Sequence, residues 1–393
     1  MSVAARSVRA MNDGRRRRND KQARRDARRH ARRKAVAATP DPFVPMVRKI
    51  LATEGPATLL LTVGEIIELD KPDWRSVLKG DPPDPLIVDG GITFWLGQSA
   101  PEATALLAVL AEMLVDHEAL QRRCRDAIAR RGDRLPEWLA QLHRVEVYRA
   151  VRVADVLGDR DDVVLGVRLV GGHEFTVVAT IDHLMLSPVT GICVREAPVD
   201  YVVAQVVAEG DPDNRVVEMA VADARAWLEH GMRKHYFPLR LKAQSGCGAL
   251  LQWLVSRMPE GGQGRESPED DWATTSLLLR AFFAAPRGAA FNRVFTAGEL
   301  LGELIESGTG DPFRWSAARV RMALDSVHVD DCSDVDSLSI LPDMLRSFIP
   351  VAHLLGGIRS ELTDRALAAI DEAEHGFRVR IAEELLLWDD ESA

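Results

Sequence analysis

The residue types best suited to chemistry gather in the middle of the chain, in GGHEFTVVATIDH at residues 171–183. This stretch holds His173, Glu174, Asp182 and His183, which are the side chains of a typical metal site. His173 and His183 are ten residues apart, so a strand rising about 3.3 Å per residue would separate them by roughly 33 Å. They share the parity of the apolar positions between them. The spacing therefore predicts histidines at the two ends of one apolar strand face, with no shared ion.

A second candidate is Cys247, which lies between two glycines just before an apolar helix in QSGCGALLQWL. A thiol at a helix N-terminus can have a lowered pKa and act as a nucleophile, and His235 is the nearest histidine in sequence to serve as its base. The same pattern describes an ordinary loop-to-helix junction in which the glycines serve the turn. His230 and His235 would point about 140° apart on a helix, which excludes a shared zinc ion and favours a solvated helix end.

Further candidate sites fail on spacing. His117 and Cys124 fall within an apolar helical stripe and are predicted to be core residues. HVDDCSDVDS, residues 328–337, contains four aspartates, but counting from Asp330 places Val335 and Leu341 where an EF-hand has Gly and Glu. The sequence contains no GxxxxGK[ST], GxSxG or GxGxxG pattern. We therefore predict no catalytic residue, no metal ligand and no cofactor.

An arginine-rich stretch precedes all of these candidates, with RRRR at residues 15–18 and KQARRDARRHARRKA at residues 21–35. As a helix it would show arginines on half of its circumference and a narrow strip of alanines opposite, without the large apolar residues of a membrane-surface helix or a coiled coil. Arginines at i, i+4 repel each other, so we expect a disordered arm that becomes helical on RNA, DNA or another polyanion. The arm has no aromatic residue to stack on bases, so this binding would be non-specific. The predicted nucleic-acid-binding residues are Arg15, Arg16, Arg17, Arg18, Arg24, Arg25, Arg28, Arg29, Arg32 and Arg33.

The net charge of −9 combines two opposed parts of the chain. Residues 1–34 carry fourteen Lys and Arg against three Asp, a net charge of +11, whereas the remainder has 36 basic and 56 acidic residues, a net charge of −20. The arm could therefore also dock on the acidic body, or simply aid solubility. Translation from Met11 would give a shorter arm. Four dispersed cysteines without CxxC spacing indicate free thiols in the cytoplasm. We found no secretory signal and no run of about 18 apolar residues, and expect no membrane contact.

Hydrophobic periodicity supplies the elements that must position these residues. SAPEATALLAVLAEMLVDHEALQRRC, from Ser99 to Cys124, predicts one long helix with Ser99 and Glu102 as a capping box. Alternating apolar residues from about 144 to 195 predict an antiparallel β-meander of three or four strands, with Gly171 and Gly172 in a turn. After PEGGQGRESPEDD the chain is predicted to be all helical, with Ser316 as one helix cap.

The predicted fold class is therefore α+β: N-terminal helices plus a small antiparallel meander, followed by an all-helical C-terminal domain. The predicted boundaries are a disordered arm at 1–36, an α+β domain at 37–258, a linker at 259–271 and a helical domain at 272–393. Three phrases, VVATIDH, DPFRWSAARV and LPDMLRSFI, resemble patterns in a group of uncharacterised actinobacterial proteins. The resemblance implies a bacterial origin and no catalytic residue.

The leading functional hypothesis is a non-enzymatic cytoplasmic binding protein whose arm contacts nucleic acid or another polyanion. The first alternative is an enzyme of unknown reaction with a site near the meander and the following helices, using Cys247, His235 or His183. The second is an oligomeric scaffold assembled through the C-terminal helical domain, with the arm as a solubilising or self-docking tail.

Overall fold

The computed structural model describes residues 43–69, 87–234, 242–243, 245–265, 272–293, 296–328 and 335–391. All ten arginines predicted to bind nucleic acid lie outside these residues, as do His235 and most of the acidic stretch 328–337. Helix α1 (Phe43–Thr53) belongs to a first unit that ends at Glu54. The second unit begins at Gly55 and contains the elements from α2 onward.

The fold class is α+β, as the sequence predicts, and the unit begins with a group of helices. Pro56 and Pro101 occupy the first turns of α2 and α4, where a proline has no hydrogen bond to lose. The helices are α2 (Pro56–Glu68), α3 (Ile87–Leu96), α4 (Pro101–Met113), α5 (Glu118–Arg131) and the short α6 (Glu137–Ala140).

The long helix predicted from Ser99 to Cys124 is wrong, because the chain breaks at residues 114–117 and α5 packs back on α4. α4 is buried almost all round. A straight continuation would extend a charged helix away from the core, whereas folding back lets Arg131 donate to the carbonyls of Trp95 and Leu96 at the end of α3. The predicted capping box is also wrong, since α4 is preceded by Ala100 without a side-chain cap.

The predicted meander is confirmed as four antiparallel strands, β1 (Glu146–Ala154), β2 (Arg160–Arg168), β3 (Glu174–Asp182) and β4 (Val189–Arg195). Gly171 and Gly172 both have positive φ in the turn between β2 and β3, a conformation that favours glycine. Two strands were not predicted. β5 (Arg215–Met219) pairs antiparallel with β1 at one edge, and the two-residue β6 (Lys242–Ala243) pairs parallel with β4 at the other.

The two faces of the sheet are covered by different helices. Val151, Val153, Val164 and Val178 lie on one face and pack against α7 (Val199–Glu209). The opposite face, with Val163, Leu165, Val177 and Ala179 buried, lies against α8 (Val221–Arg233) and α9 (Cys247–Arg257). Strand periodicity of two thus places alternate residues of β1–β3 in different environments.

The C-terminal region is helical, as predicted, and has one contiguous core cluster. Its helices are α10 (Trp272–Ala284), α11 (Ala297–Glu306), α12 (Ala317–Ser326), α13 (Val335–Leu355) and α14 (Ser360–Glu391). The predicted cap is confirmed, since Ser316 Oγ accepts a hydrogen bond of 2.8 Å from Arg319 N. The sheet region contacts this region through an ion pair of 2.7 Å between Arg359 and Asp211.

One described helix is long and apolar enough to cross a membrane, judged by length and composition, in the window Leu338–Leu355 of α13. The expectation that the chain holds no such segment is corrected by this finding. Half of the window is buried inside the protein, where residues such as Leu341 and Phe348 belong to the helical core. Core helices of soluble proteins commonly have this composition.

Candidate functional site

A cleft of about 900 Å³ opens where the end of the meander meets the helices. Its walls are β1, the turn that follows β1, β5, the N-terminal half of α8 and the segment 263–265. The charged side chains that line it are Arg152, Asp155, Asp161, Glu218, Asp223, Arg265 and Arg314, together with His183 and Trp227.

The pairing of the strands brings Arg152, Asp161 and His183 to one side of the sheet. Asp161 of β2 lies directly opposite Ala154 of β1, two residues beyond Arg152, and also opposite Ile181 of β3. Because alternate residues share a face, Arg152 lies on the same face as Asp161, and His183 follows Ile181 on it. Asp161 and His183 are both almost fully buried, at 6% and 3% exposure.

These residues belong to a continuous hydrogen-bonded relay with Ser187 and Arg265. Arg265 Nη1 lies 3.1 Å from Ser187 Oγ, Ser187 Oγ lies 2.9 Å from His183 Nδ1, and His183 Nε2 lies 3.1 Å from Asp161 Oδ2. A guanidinium can only donate, so the Ser187 hydroxyl accepts from Arg265. In the tautomer with its proton on Nε2, His183 donates to the Asp161 carboxylate and accepts from the Ser187 hydroxyl at Nδ1.

The backbone around Ser187 is strained. Leu186 and Ser187 have φ values of 67° and 65° and are the described non-glycine residues with positive φ. Such conformations cost on the order of 1 kcal/mol each and persist where the surroundings enforce them. Here Ser187 N donates to the carbonyl of Asp182, and the Asp182 side chain accepts from Leu184 N. The strained turn holds the Ser187 hydroxyl against His183.

Trp227 of α8 covers the relay. The Arg152 guanidinium lies 5.1 Å from the centroid of its ring, and the His183 ring meets it edge-on at 6.5 Å. A guanidinium over an indole face is attracted to the ring quadrupole. Trp227 therefore fixes the position of Arg152 without using its N–H donors.

Arg265 reaches the cleft on a segment that is held against α8. Asp223 accepts a hydrogen bond of 2.7 Å from Gln263 N, and Arg225 donates to the carbonyl of Met258 at 2.5 Å. Gly262 lies so close to α8 that an added Cβ would fall 1.9 Å from the carbonyl oxygen of Ala222. Part of the predicted linker 259–271 is thus a tightly packed wall of the cleft.

Arg152 and Arg265 both lie in the cleft near Asp161, but only Arg152 is within ion-pair distance of it among the described residues. Arg152 Nη1 lies 3.7 Å from Asp161 Oδ2, an ion pair too long for a hydrogen bond. Among the described residues, Arg265 has no carboxylate within 4.0 Å, and its hydrogen bond to Ser187 is its single one. Burial lowers the pKa of Arg265; the charge of Asp161 opposes this effect, and the charge of Arg152 adds to it. Within the described part of the chain, most N–H donors of both arginines have no acceptor.

The other carboxylates of the cleft already have protein partners. Asp155 accepts hydrogen bonds from the backbone N–H groups of Leu157 and Asp159, and burial raises its pKa. Asp223 accepts from Gln263 N, and Glu218 is paired with Arg149. Each of these carboxylates keeps acceptor positions that its protein partners do not use, since a carboxylate has about four lone-pair sites.

The order serine, histidine, aspartate has the residue types of a catalytic triad, but the geometry is unfavourable for nucleophilic attack. Ser187 is only 6% exposed, and Arg265 donates to its oxygen. The residue after a nucleophilic serine commonly donates its N–H to the oxyanion, and here that residue is Pro188, which has none. Ser187 N is occupied by Asp182. The relay is better suited to holding Arg265 and Asp161 in place than to bond making.

Cys247 is a poor nucleophile in this structure. The thiol is fully buried, and burial raises its pKa to about 12, with Glu68 as the next cause. Glu68 also occupies the N-terminus of α9, where its carboxylate accepts from Gly246 N at 2.9 Å and Ala249 N at 3.0 Å. The positive end of the helix dipole is therefore already neutralised and does not stabilise a thiolate.

The histidines of the sequence analysis are not brought together. His173 is exposed at the start of β3, whereas His183 is buried beyond its end, as the strand spacing predicts. His230 lies in the last turn of α8, and burial and nearby cations lower its pKa. No cluster of three or more His, Cys, Asp or Glu within the described part of the chain could hold a metal ion.

The sequence analysis did not identify the residues that build the cleft, apart from His183. The position of Asp161 could have been recognised, because alternation along β2 places this charged residue on the same buried face as Val163 and Leu165. Arg152 likewise shares the face of Ala150 in β1. Ser187 and Arg265 carry no comparable signal, since both lie in irregular segments.

Comparisons of the chain with family models, curated proteins and solved structures found no match. The resemblance to the actinobacterial group therefore stays a prediction. Any function has to be argued from the cleft itself and from the charge distribution of the chain.

Proposed function

We propose that this protein is a non-enzymatic binding protein whose cleft takes up an anionic ligand between Arg152 and Arg265. The observation that carries the proposal is the pair of guanidinium groups near Asp161, most of whose N–H donors have no acceptor among the described residues. Two like charges held near each other in a partly buried site are unfavourable on their own. An anion between them would relieve this repulsion and use the donors in charge-assisted hydrogen bonds.

Positioning of the two arginines supports the proposal further. Trp227 holds Arg152 through its ring face, and the relay from Asp161 through His183 and Ser187 holds Arg265. A site whose donors are fixed before binding loses less entropy when the ligand arrives.

Titration calorimetry with inorganic phosphate at fixed ionic strength tests the proposal. We expect Arg265→Gln to weaken phosphate binding at least tenfold, because a hydrogen bond to a charged group contributes about 1.5–3 kcal/mol. Arg321→Gln is the matched control, since Arg321 is half-exposed and pairs with Glu372 in the helical region. Equal phosphate affinity in the wild type and both variants would refute the assignment.

The arm supports a second binding function. We propose that the ten arginines predicted above, of the twelve in the arm, contact RNA, DNA or another polyanion, on the strength of the net charge of +11 in residues 1–34. Neutralisation of six phosphates predicts an affinity that falls with salt with a log–log slope of roughly −4 to −5. Salt series for the full chain and for a chain starting at Val36 measure the difference. Weak and equal binding by both would eliminate the arm as the contact.

A cytoplasmic location completes the proposal. Cys124, Cys193 and Cys247 are free thiols, as the sequence predicts and as a reducing compartment favours; Cys332 lies outside the described residues. Assembly through the helical region remains a hypothesis, for which the mass in solution at low and high salt is the measurement.

A further inference from the structure

The cleft is larger than a single inorganic anion requires. Its volume of about 900 Å³ falls in the upper part of the range of typical ligand sites, roughly 300–1,000 Å³. A ligand that fills it must therefore carry a larger body along the remaining walls.

The anionic group is best matched by phosphate. Two guanidinium forks with most of their N–H donors available offer more hydrogen bonds than the two oxygens of a carboxylate can accept. A phosphate monoester has three terminal oxygens and a charge of about −1.5 to −2, so it can accept from both forks at once.

The remaining walls favour a body rich in hydroxyl groups. Asp155 and Asp223 line the cleft with acceptor positions to spare. Their negative charge is already partly compensated by backbone N–H groups. Neutral O–H donors suit such carboxylates, and the apolar side chains of Val217 and Met219 on β5 can contact the C–H groups between them.

An aromatic base is less well matched than a polyhydroxylated body. Trp227 and His183 are the aromatic rings among the described residues that line the cleft. Arg152 covers a face of Trp227, and the His183 ring is turned edge-on towards it and is buried. A stacking platform for a nucleobase would need an open ring face.

We propose that the cleft binds a phosphate monoester of a polyhydroxylated compound, with the phosphate on Arg152 and Arg265 and the hydroxyl groups on Asp155 and Asp223. This inference rests on the proposed anion site and adds the class of its ligand. The hydroxyl contacts to charged acceptors should raise affinity over phosphate alone by about tenfold for each good hydrogen bond.

Calorimetric titration of the full chain with inorganic phosphate, glucose, glucose 6-phosphate and phosphoethanolamine tests the inference. We expect glucose 6-phosphate to bind at least tenfold more tightly than phosphate, and glucose alone not to bind measurably. Asp223→Asn should remove most of this advantage. The amide oxygen can still accept from Gln263 N, so the wall should keep its fold.

Controls separate the outcomes. Asp155→Asn is a second wall variant that keeps acceptors for Leu157 N and Asp159 N. Asp126→Asn on the exposed surface of α5 should change nothing. Phosphate binding with no gain for glucose 6-phosphate, or with a larger gain for phosphoethanolamine, overturns the hydroxyl assignment but leaves the anion site intact. Failure of both phosphate and glucose 6-phosphate to bind overturns the anion site itself.

Discussion

Asp159 offers a quantitative test of how the sheet and the helical region meet. It lies in the turn between β1 and β2, where its carbonyl accepts a hydrogen bond of 2.7 Å from His183 N. Its Oδ1 is buried without a hydrogen-bond partner in the part of the chain that the structure describes. Burial raises the pKa of the carboxyl group to about 6. A hydrogen bond with Ser316 and the charge of Arg319 oppose this rise.

The sign of the effect on stability follows from the direction of the shift. The folded pKa of about 6 exceeds the usual value of 3.8, so the folded protein binds the proton more tightly than the unfolded chain does. Ionisation therefore destabilises the fold as the pH rises from about 4 to about 6. A shift of roughly two pKa units corresponds to about 3 kcal/mol of unfolding free energy.

Replacing Asp159 with Asn removes the charge and keeps an oxygen for Ser316. We expect the variant to be more stable than the wild type by about 3 kcal/mol at pH 7 and above, and the difference to vanish near pH 4. Asp155 and Asp182 also have raised pKa values, and Asp155 and Asp182 each raise that of Asp159. Comparing the variant with the wild type at each pH cancels most of the contribution of Asp155 and Asp182 to the pH dependence of the unfolding free energy.

Urea unfolding at fixed ionic strength between pH 4 and pH 8 measures this difference. Asp126→Asn, at an exposed position of α5, is the control and should give a flat profile. A stability difference between Asp159→Asn and wild type that does not change with pH would refute the reasoning. Equal unfolding free energies of Asp159→Asn and wild type at pH 7, with the same m-value for both, would also refute it.

Two further predictions concern buried groups. The pKa of Cys247 is raised to about 12, so little thiolate is present at neutral pH. We therefore expect Cys247 to react with a thiol reagent at least a hundredfold more slowly in the native protein than in the urea-unfolded protein. Equal rates would show that the native protein has an accessible thiolate. Arg319 is 1% exposed and donates to the carbonyls of Asp311 at 2.5 Å and Ile305 at 2.7 Å. Arg319→Met should therefore lower the unfolding free energy, measured by urea unfolding, by about 3 kcal/mol. The control Arg321→Met should lower it by less than about 0.5 kcal/mol. Similar losses in both variants would contradict a stabilising role for the hydrogen bonds from Arg319 to these carbonyls.

The elements that local pattern determines were predictable, and those that tertiary contact determines were not. The meander follows from alternation along each strand, and the cap at Ser316 follows from a serine before an apolar helix. The break between α4 and α5 has no glycine or proline to announce it. Its cause is the burial of α4 on nearly all sides, which a single-sequence pattern does not reveal.

The candidate site shows the same division. The parity of β2 and β3 already places Asp161 and His183 on the face of the apolar residues, where a charged residue needs a partner. Arg265 is 78 residues from Ser187 in sequence. The path of its segment depends on the close approach of Gly262 to Ala222, and nothing in the local sequence of either residue indicates that contact.

The polar groups of the cleft are difficult to explain by stability alone. Apolar residues of similar size at Arg152, Asp161 and Arg265 would avoid the desolvation of three charges, and replacements of this kind often stabilise a protein. The chain instead places Arg152 on Asp161 and Arg265 on Ser187, within one cleft and next to a strained turn. Strain and desolvated charge of this kind are concentrated at functional sites, which is why we propose the cleft as a binding site. The arm is a separate candidate, because its net charge of +11 lies in a chain whose remaining residues carry a net charge of −20.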